Sequence, residues 1–232
     1  MKEKISISLC LPAFNEEANI EKAIRDATAV LNDISDNWEI VVVDDGSLDY
    51  TAGKVKALMA LDKRIRLMQH AKNKGYGAAL ITGFYSASKE WAWLSAADNQ
   101  FDPKQIYKFL PFISSHEIII GYRAKRADPL YRRLYARAYN GLIMFLLGLR
   151  IKDINCGFKL VKRKVFDRIK LTSSGALIDA EFFAKCKQNK FTLKEVAVEH
   201  KPREFGEQTG GNIAVILKMF TEVLRLKIRE NL

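Results

Sequence analysis

Apolar and polar positions alternate along the first half of this chain in blocks that change period. Ile5 to Leu11 is rich in β-formers and reads as a strand, closed by Pro12-Ala13-Phe14-Asn15-Glu16-Glu17. From Asn19 to Leu31 the period lengthens, and Ala23, Ile24, Ala27, Val30 and Leu31 fall on one helical face. Trp38 to Val43 is an apolar run broken only by Glu39, as expected of a strand buried on both faces of a parallel sheet. Thr51 to Leu61 reads as helix, Ile65 to Gln69 as strand, Ala78 to Ser88 as helix and Trp91 to Ser95 as strand. A helix over Pro103 to Ile113 and a strand over Glu117 to Gly121 follow. Strand and helix thus alternate through residue 121, which predicts an open, mostly parallel α/β sheet with helices on both faces. The second half reads as a basic loop and further helices packed on that sheet. The whole is one domain over 1–232, with a ligand-binding half at 1–121 and a second half at 122–232.

Polar loops end these strands: Asn15/Glu16, Asp44/Asp45, the Gly75/Gly77 turn and Asp98/Gln100. All fall at strand C-terminal ends, where open α/β sheets bind ligands. The glycine turn is neither a Walker loop, since no Gly-Lys-Ser/Thr follows, nor a dinucleotide fingerprint, since the third glycine is missing.

The 232 residues carry 38 Lys and Arg against 27 Asp and Glu, a net charge of +11, and 48% of them are hydrophobic. That apolar share excludes a disordered chain. The excess charge lies between Gly121 and Lys170, where 14 basic residues meet 3 acidic ones. Such a stretch suits phosphates, on a lipid headgroup or a phosphorylated substrate. Nucleic acid is not expected, because no recognition motif accompanies the charge. Cys10, Cys156 and Cys186 lie far apart, without the spacing of a zinc site or a disulfide framework, and fit a reducing compartment. His70, His116 and His200 are isolated and are not expected to bind metal. The longest apolar run, Leu142 to Leu149, is shorter than a membrane span of about 20 residues. The expected location is cytoplasmic, peripheral on the membrane face. Ala138 to Leu149 is read either as a core helix or as one that dips into the interface. The ending KMFTEVLRLKIRENL gives at most an amphipathic basic helix, so attachment is expected to be peripheral or through a partner.

In order, the motifs read PAFNEE, VVVDDGSLDYT, NKGYGAALITGF, SAADNQFDP, GYR, RRLYAR, DINCGFKL and REFGEQTGG. Together they resemble the family-two inverting glycosyltransferases of the A fold, and within them the branch that makes dolichyl- and polyprenyl-phosphate sugars. The resemblance covers nearly the whole chain. It implies a nucleotide-diphosphate sugar, GDP-mannose or a UDP-hexose, on the strand edge. Pro12, Phe14 and Glu16 would surround the ribose and base, Asp44 and Asp45 the base, and Gly75, Gly77 and Ala97 would complete the donor site. It implies Mg²⁺ or Mn²⁺ held by Asp98 and Gln100. It places Arg123, Arg132 and Arg203 on phosphate groups, with Arg133 and Arg137 as further acceptor-phosphate candidates. Asp153 is the candidate catalytic carboxylate beside Asp98, Arg123 and Arg203, with Asp179 and Glu181 as rivals. The family's metal motif is Asp-x-Asp, and here alanine, Ala96, holds its first position. A phosphate-binding serine is likewise replaced by Ala136. The implied reaction moves a hexose to a polyprenyl phosphate. Transfer to a saccharide hydroxyl, or a nucleotide-sugar-binding protein that has lost catalysis, are the alternatives.

Overall fold

The computed structural model describes residues 4–125, 140–141, 143–175, 177–203 and 205. Its elements are β1 (Ser6–Ala13), α1 (Ile20–Ile34), β2 (Asn37–Asp44), α2 (Thr51–Leu61), β3 (Ile65–Gln69), α3 (Tyr76–Ser86), β4 (Trp91–Leu94), two 3₁₀ turns (Pro103–Lys108 and Leu110–Phe112), β5 (Ile118–Lys125), β6 (Lys159–Lys162), α4 (Lys164–Arg168), α5 (Ile178–Gln188) and β7 (Leu193–Glu199). The described strands form one sheet in the order β3-β2-β1-β4-β6-β5-β7. β1 to β4 are mutually parallel where they pair; β6 runs antiparallel to β4 and β5, and β5 is parallel to β7. Two reversals restore direction, so the C-terminal ends of β1, β2, β3, β4, β5 and β7 share one edge.

Strand alternation divides the core into two layers. Leu9, Leu11, Trp91, Trp93, Ile119 and Leu160 pack with α1 on one face. Their neighbours Cys10, Ala92, Leu94, Ile118, Ile120 and Val161 pack with α3 and α5 on the other. α1 buries Ile20, Ala23, Ile24, Ala27, Val30, Leu31 and Ile34, the stripe that its periodicity predicts.

Several expectations are corrected. β1 does not stop before Pro12 but runs to Ala13. Ser95 N–H donates to the Cys10 carbonyl, so Cys10 and, two residues on, Pro12 face β4. β4 ends at Leu94, so the N–H that proline lacks has no ladder partner to lose. The helix expected over 103–113 is two 3₁₀ turns. Asp102 caps the first, and Pro111 cannot donate to the carbonyl four residues back. β5 extends four residues beyond Gly121. The second half contributes two strands as well as helices. In the apolar segment, Ile143 and Leu147 enter the α3/α5 core layer while Phe145 stays exposed, which is the core-helix reading.

Charged groups are buried in pairs. Glu39 accepts from Ser8 Oγ, Ser88 N and Oγ, and Arg66 Nη1, tying β1, β2 and β3 to the chain entering β4. Glu181, on α5, is fully buried at 2.9 Å from Lys185 Nζ and accepts from the backbone N–H groups of Thr172 and Ser173. Burial alone would raise its pKa; the bond from Lys185, then those from Ser173 and Thr172, outweigh it and lower the carboxyl from 4.5 to about 2. A depressed carboxylate contributes stability that is complete above its unfolded pKa of 4.5 and is lost as the pH falls towards 2. At neutral pH the contribution is about 3 kcal/mol. Denaturant unfolding of the wild type should weaken over that window, and Glu181→Gln should be less stable at pH 7 and show a flatter acid limb. An unchanged acid limb in the variant would assign the acid sensitivity to other carboxylates.

Candidate active site

The loops after β1 and β2 are laced together at the C-terminal edge. Asn15 N–H donates to Ser47 Oγ, and Asn15 Oδ1 accepts from Leu48 N. Glu16 N–H donates to Thr51 Oγ1, Glu17 N–H donates to Asp49 Oδ2, and Glu17 Oε2 accepts from Tyr50 N. Asn15 sits at φ 53°, a left-handed conformation that asparagine tolerates. Gly46, at φ 74°, passes so close to the 72–73 backbone that a Cβ would lie 2.5 Å from Lys72 C. Between these loops opens a cleft of about 580 Å³, lined by Phe14, Gly46, Ser47, Leu48, Gln69, His70, Ala71, Lys72 and Asn73. Its size and its mixture of rings, amides and one lysine suit a nucleoside.

Asp44 and Asp45 stand behind this cleft. Asp44 is fully buried and accepts from Ser47 N and Gln69 Nε2. Asp45 accepts from the backbone N–H groups of Lys74 and Gly75 and lies 2.6 Å from His70 Nδ1, whose other nitrogen reaches Thr82 Oγ1. Both carboxylates therefore shape the loops that line the cleft.

A second cluster lies towards β4. Arg203, just after β7, sets Nη2 2.7 Å from Glu16 Oε1 and Nη1 3.8 Å from Asp98 Oδ2. Glu16 also accepts from Asn19 Nδ2. Burial raises the Glu16 pKa, against the bonds from Asn19 and Arg203. Asp98 Oδ1 accepts from Gln100 N. Gln100 Nε2 donates to the Lys201 carbonyl, and Lys201 N donates back to the Gln100 carbonyl. That clasp holds the segment carrying Arg203 against the Asp98 loop. At the end of β5, Arg123 grips Asp153 with Nε at 2.7 Å and Nη2 at 2.8 Å, and its backbone N–H adds a third bond.

This arrangement of sheet, cleft and carboxylate agrees with what the whole sequence matches. The family model for glycosyl transferase family 2 covers residues 8–170. The chain belongs to that family. Among curated proteins it is similar to undecaprenyl-phosphate 4-deoxy-4-formamido-L-arabinose transferases: it is 29% identical over 219 residues to those of Salmonella paratyphi A and Salmonella dublin. Each alignment takes in 92% of this chain and 65% of the relative, so the chain spans about two-thirds of their length. Among solved structures it superposes on glucosyl-3-phosphoglycerate synthase from Mycobacterium tuberculosis. The complex with uridine diphosphate gives a TM-score of 0.73 at 18% identity, covering 96% of this chain and 80% of that one. The complex with Mn²⁺, uridine diphosphate and phosphoglyceric acid gives 0.74 at 16%, covering 97% and 78%. At such identities the likeness is one of fold, the A-type glycosyltransferase sheet.

Within this family-2 site the sequence-derived residues separate. Phe14 lines the cleft, Pro12 is the penultimate residue of β1, and Glu16, Asp98 and Arg203 converge. Gly75 and Gly77 are the points at which the 173–175 backbone crowds the loop after β3. A Cβ on Gly75 would meet Ser174 O at 2.8 Å, and one on Gly77 would meet Ser173 O at 2.4 Å, so both glycines admit the 173–175 backbone. Ala97 is 2% exposed in the α1 core layer and is a packing residue. Asp153 is no unengaged base, because Arg123 holds both its oxygens. Asp179 is buried against Lys159 Nζ at 2.9 Å, and Glu181 is spent on Lys185 and the 172–173 backbone. Burial pushes the Cys156 thiol up to about 11, as befits a packing residue. Arg132, Arg133 and Arg137 lie outside the described residues. Gly46, Ser47, Leu48, Gln69, Lys72 and Asn73 also line the cleft, and the one sequence signal that points to any of them is the DDGS turn.

The donor set for a divalent ion is small. Among the described residues no group of three or more His, Cys, Asp or Glu side chains assembles that could hold one. Gln100, expected as a ligand, uses its amide nitrogen on Lys201. Asp98 remains, with one oxygen facing Arg203 across 3.8 Å. One carboxylate fits Mg²⁺ or Mn²⁺ when substrate phosphates and water complete the shell.

Proposed function

We propose that this chain transfers a sugar, with inversion, from a nucleoside diphosphate to the phosphate of a polyprenyl lipid. The observation that carries the reading is the junction of a nucleoside-sized cleft with the Glu16–Arg203–Asp98 cluster on one sheet edge. The nucleoside would lie in the cleft and the diphosphate would run towards Asp98 and Arg203. An acceptor phosphate oxygen bonds to the anomeric carbon as the bond to the diphosphate breaks, and that electron pair leaves with the nucleotide. Mg²⁺ or Mn²⁺ at Asp98 would supply neutralisation of the leaving charge. Arg203 would exchange Glu16 for a phosphate oxygen, a partner that guanidinium binds well.

The state of the carboxylates favours a phosphate acceptor over a sugar hydroxyl. A hydroxyl needs a base, whereas a phosphate monoester, with a second pKa near ~6, is already ionised at neutral pH. Asp153, Asp179 and Glu181 are each held in an ion pair. The curated relatives, named for undecaprenyl phosphate, support the lipid, and the uridine diphosphate of the solved neighbours supports a uridine donor. No helix among the described residues is long and apolar enough to cross a membrane. The basic 121–170 stretch would meet anionic headgroups at the cytoplasmic face as a peripheral contact.

The test is sugar transfer from a panel of UDP- and GDP-sugars to a short polyprenyl phosphate in liposomes, with Mg²⁺, Mn²⁺ or chelator. Product that requires the lipid phosphate and the metal is expected. Donor binding without transfer to lipid or saccharide would instead establish a nucleotide-sugar-binding protein, with Ala96 the first residue to restore to aspartate.

A further inference from the structure

Arg203 stands between two carboxylates that belong to different loops. Nη2 lies 2.7 Å from Glu16 Oε1, Nη1 lies 3.8 Å from Asp98 Oδ2, and Nε donates to the Phe205 carbonyl. Asn19, at the start of α1, donates both to Glu16 Oε2 and to the Phe205 carbonyl, which ties the segment after β7 to the loop after β1. The Gln100–Lys201 clasp ties the same segment to the loop after β4. The side chains of Glu16, Arg203 and Asp98 are 9%, 14% and 15% exposed, so water screens their fields little.

The two contacts of the guanidinium differ in kind. Glu16 accepts a hydrogen bond from it, whereas 3.8 Å to Asp98 is an ion pair without a hydrogen bond. Asp153 shows the contrast, since Arg123 grips it with two hydrogen bonds. Arg203 therefore offsets the charge of Asp98 without bonding to its oxygens. On the transferase reading above, which this inference rests on, Asp98 is also the carboxylate for Mg²⁺ or Mn²⁺. A guanidinium and a divalent ion beside one carboxylate repel each other. A sugar diphosphate removes the conflict: its oxygens offer the guanidinium bidentate partners, and its charge offsets that of the ion. We propose that Arg203 keeps the metal off Asp98 until the donor's diphosphate draws the guanidinium away, so that metal and nucleotide enter as a pair.

The test is Mn²⁺ titration, read by the electron paramagnetic resonance of the free ion, with UDP, with GDP and without nucleotide. The wild type should bind Mn²⁺ weakly alone and more tightly with one of the nucleotides. Arg203→Met should bind Mn²⁺ alone at least about 10-fold more tightly than the wild type, and the nucleotide should add less to its affinity. Asp98→Asn should erase that gain. Glu16→Gln tests the same point with Arg203 in place: the guanidinium loses its nearer carboxylate, turns to Asp98, and should weaken Mn²⁺ binding. Adding Arg203→Met to Glu16→Gln should reverse the weakening, which separates a competing arginine from a lost metal ligand. Mn²⁺ binding unmoved by either single variant, or weakened by Arg203→Met, overturns the competition. If a nucleotide still tightens Mn²⁺ binding in the wild type, the transferase reading then stands. A wild type that binds Mn²⁺ neither alone nor with either nucleotide overturns both.

Discussion

Asp98→Asn should slow sugar transfer by at least about 100-fold and leave the fold intact. The magnitude follows from the thinness of the metal site. Outer-shell partners of metal ligands already cost about 10- to 100-fold when removed, and Asp98, the carboxylate that the described residues offer the proposed metal, should cost more. Ala96 supplies no oxygen at the other motif position, and Gln100 is committed to Lys201. The fold should be spared because the amide oxygen of asparagine can still accept from Gln100 N, the bond that shapes the loop. The melting temperature should therefore move by no more than about 2 °C, as for surface changes worth about 0.5 kcal/mol. The comparison is initial rate against Mn²⁺ concentration for both proteins. If the variant retained wild-type turnover at saturating Mn²⁺, Asp98 would not be the carboxylate that holds the metal. Ala96→Asp is the complementary change and should lower the Mn²⁺ concentration needed for half-maximal rate.

The same cluster shows which parts of the site a sequence exposes. Asp98, Glu16 and Arg203 stand out as charged residues in strand-end loops, so their presence at the edge is legible. Their mutual arrangement is not: Glu16 and Arg203 are 187 positions apart and meet only because β1 and β7 end at the same edge. The α1 stripe and the β2 run could be read directly, because each has a clean period and burial on the faces that period dictates. β6 could not. It is four residues long, begins with the buried Lys159, and owes its place to pairing with β4 and β5. The two glycines illustrate the same limit. A glycine in a loop announces that something comes close, but only the fold shows that the backbone of 173–175 does so. Asp45 shows the same limit: nothing along the chain tells that its oxygens hold the Lys74 and Gly75 N–H groups and lie beside His70.

Asp153 offers the sharpest separation between a chemical and an architectural role. A catalytic base replaced by its amide should leave stability unchanged and abolish turnover. The structure instead predicts a large loss of stability. Asp153 is 7% exposed and Arg123 13%, and two guanidinium nitrogens and one backbone N–H converge on the carboxylate. Asp153→Asn takes away a charge that two guanidinium nitrogens of a largely buried arginine grip, and breaking one side of such a pair costs about 3–5 kcal/mol. For a chain of this size that lowers the melting temperature by roughly 10 °C. Arg123→Met combined with Asp153→Leu removes both charges and should recover much of the loss, since apolar replacement of a buried pair is often neutral. The double variant should still bind the nucleotide, because the cleft between β1, β2 and β3 is built without either residue. Its transfer rate then reports on the acceptor side alone. Recovery of stability without recovery of transfer would place Arg123 on the acceptor phosphate, and Asp153 would act by aiming it. Unchanged stability in Asp153→Asn, with turnover abolished, would return Asp153 to the role of base and would reopen the saccharide hydroxyl as acceptor.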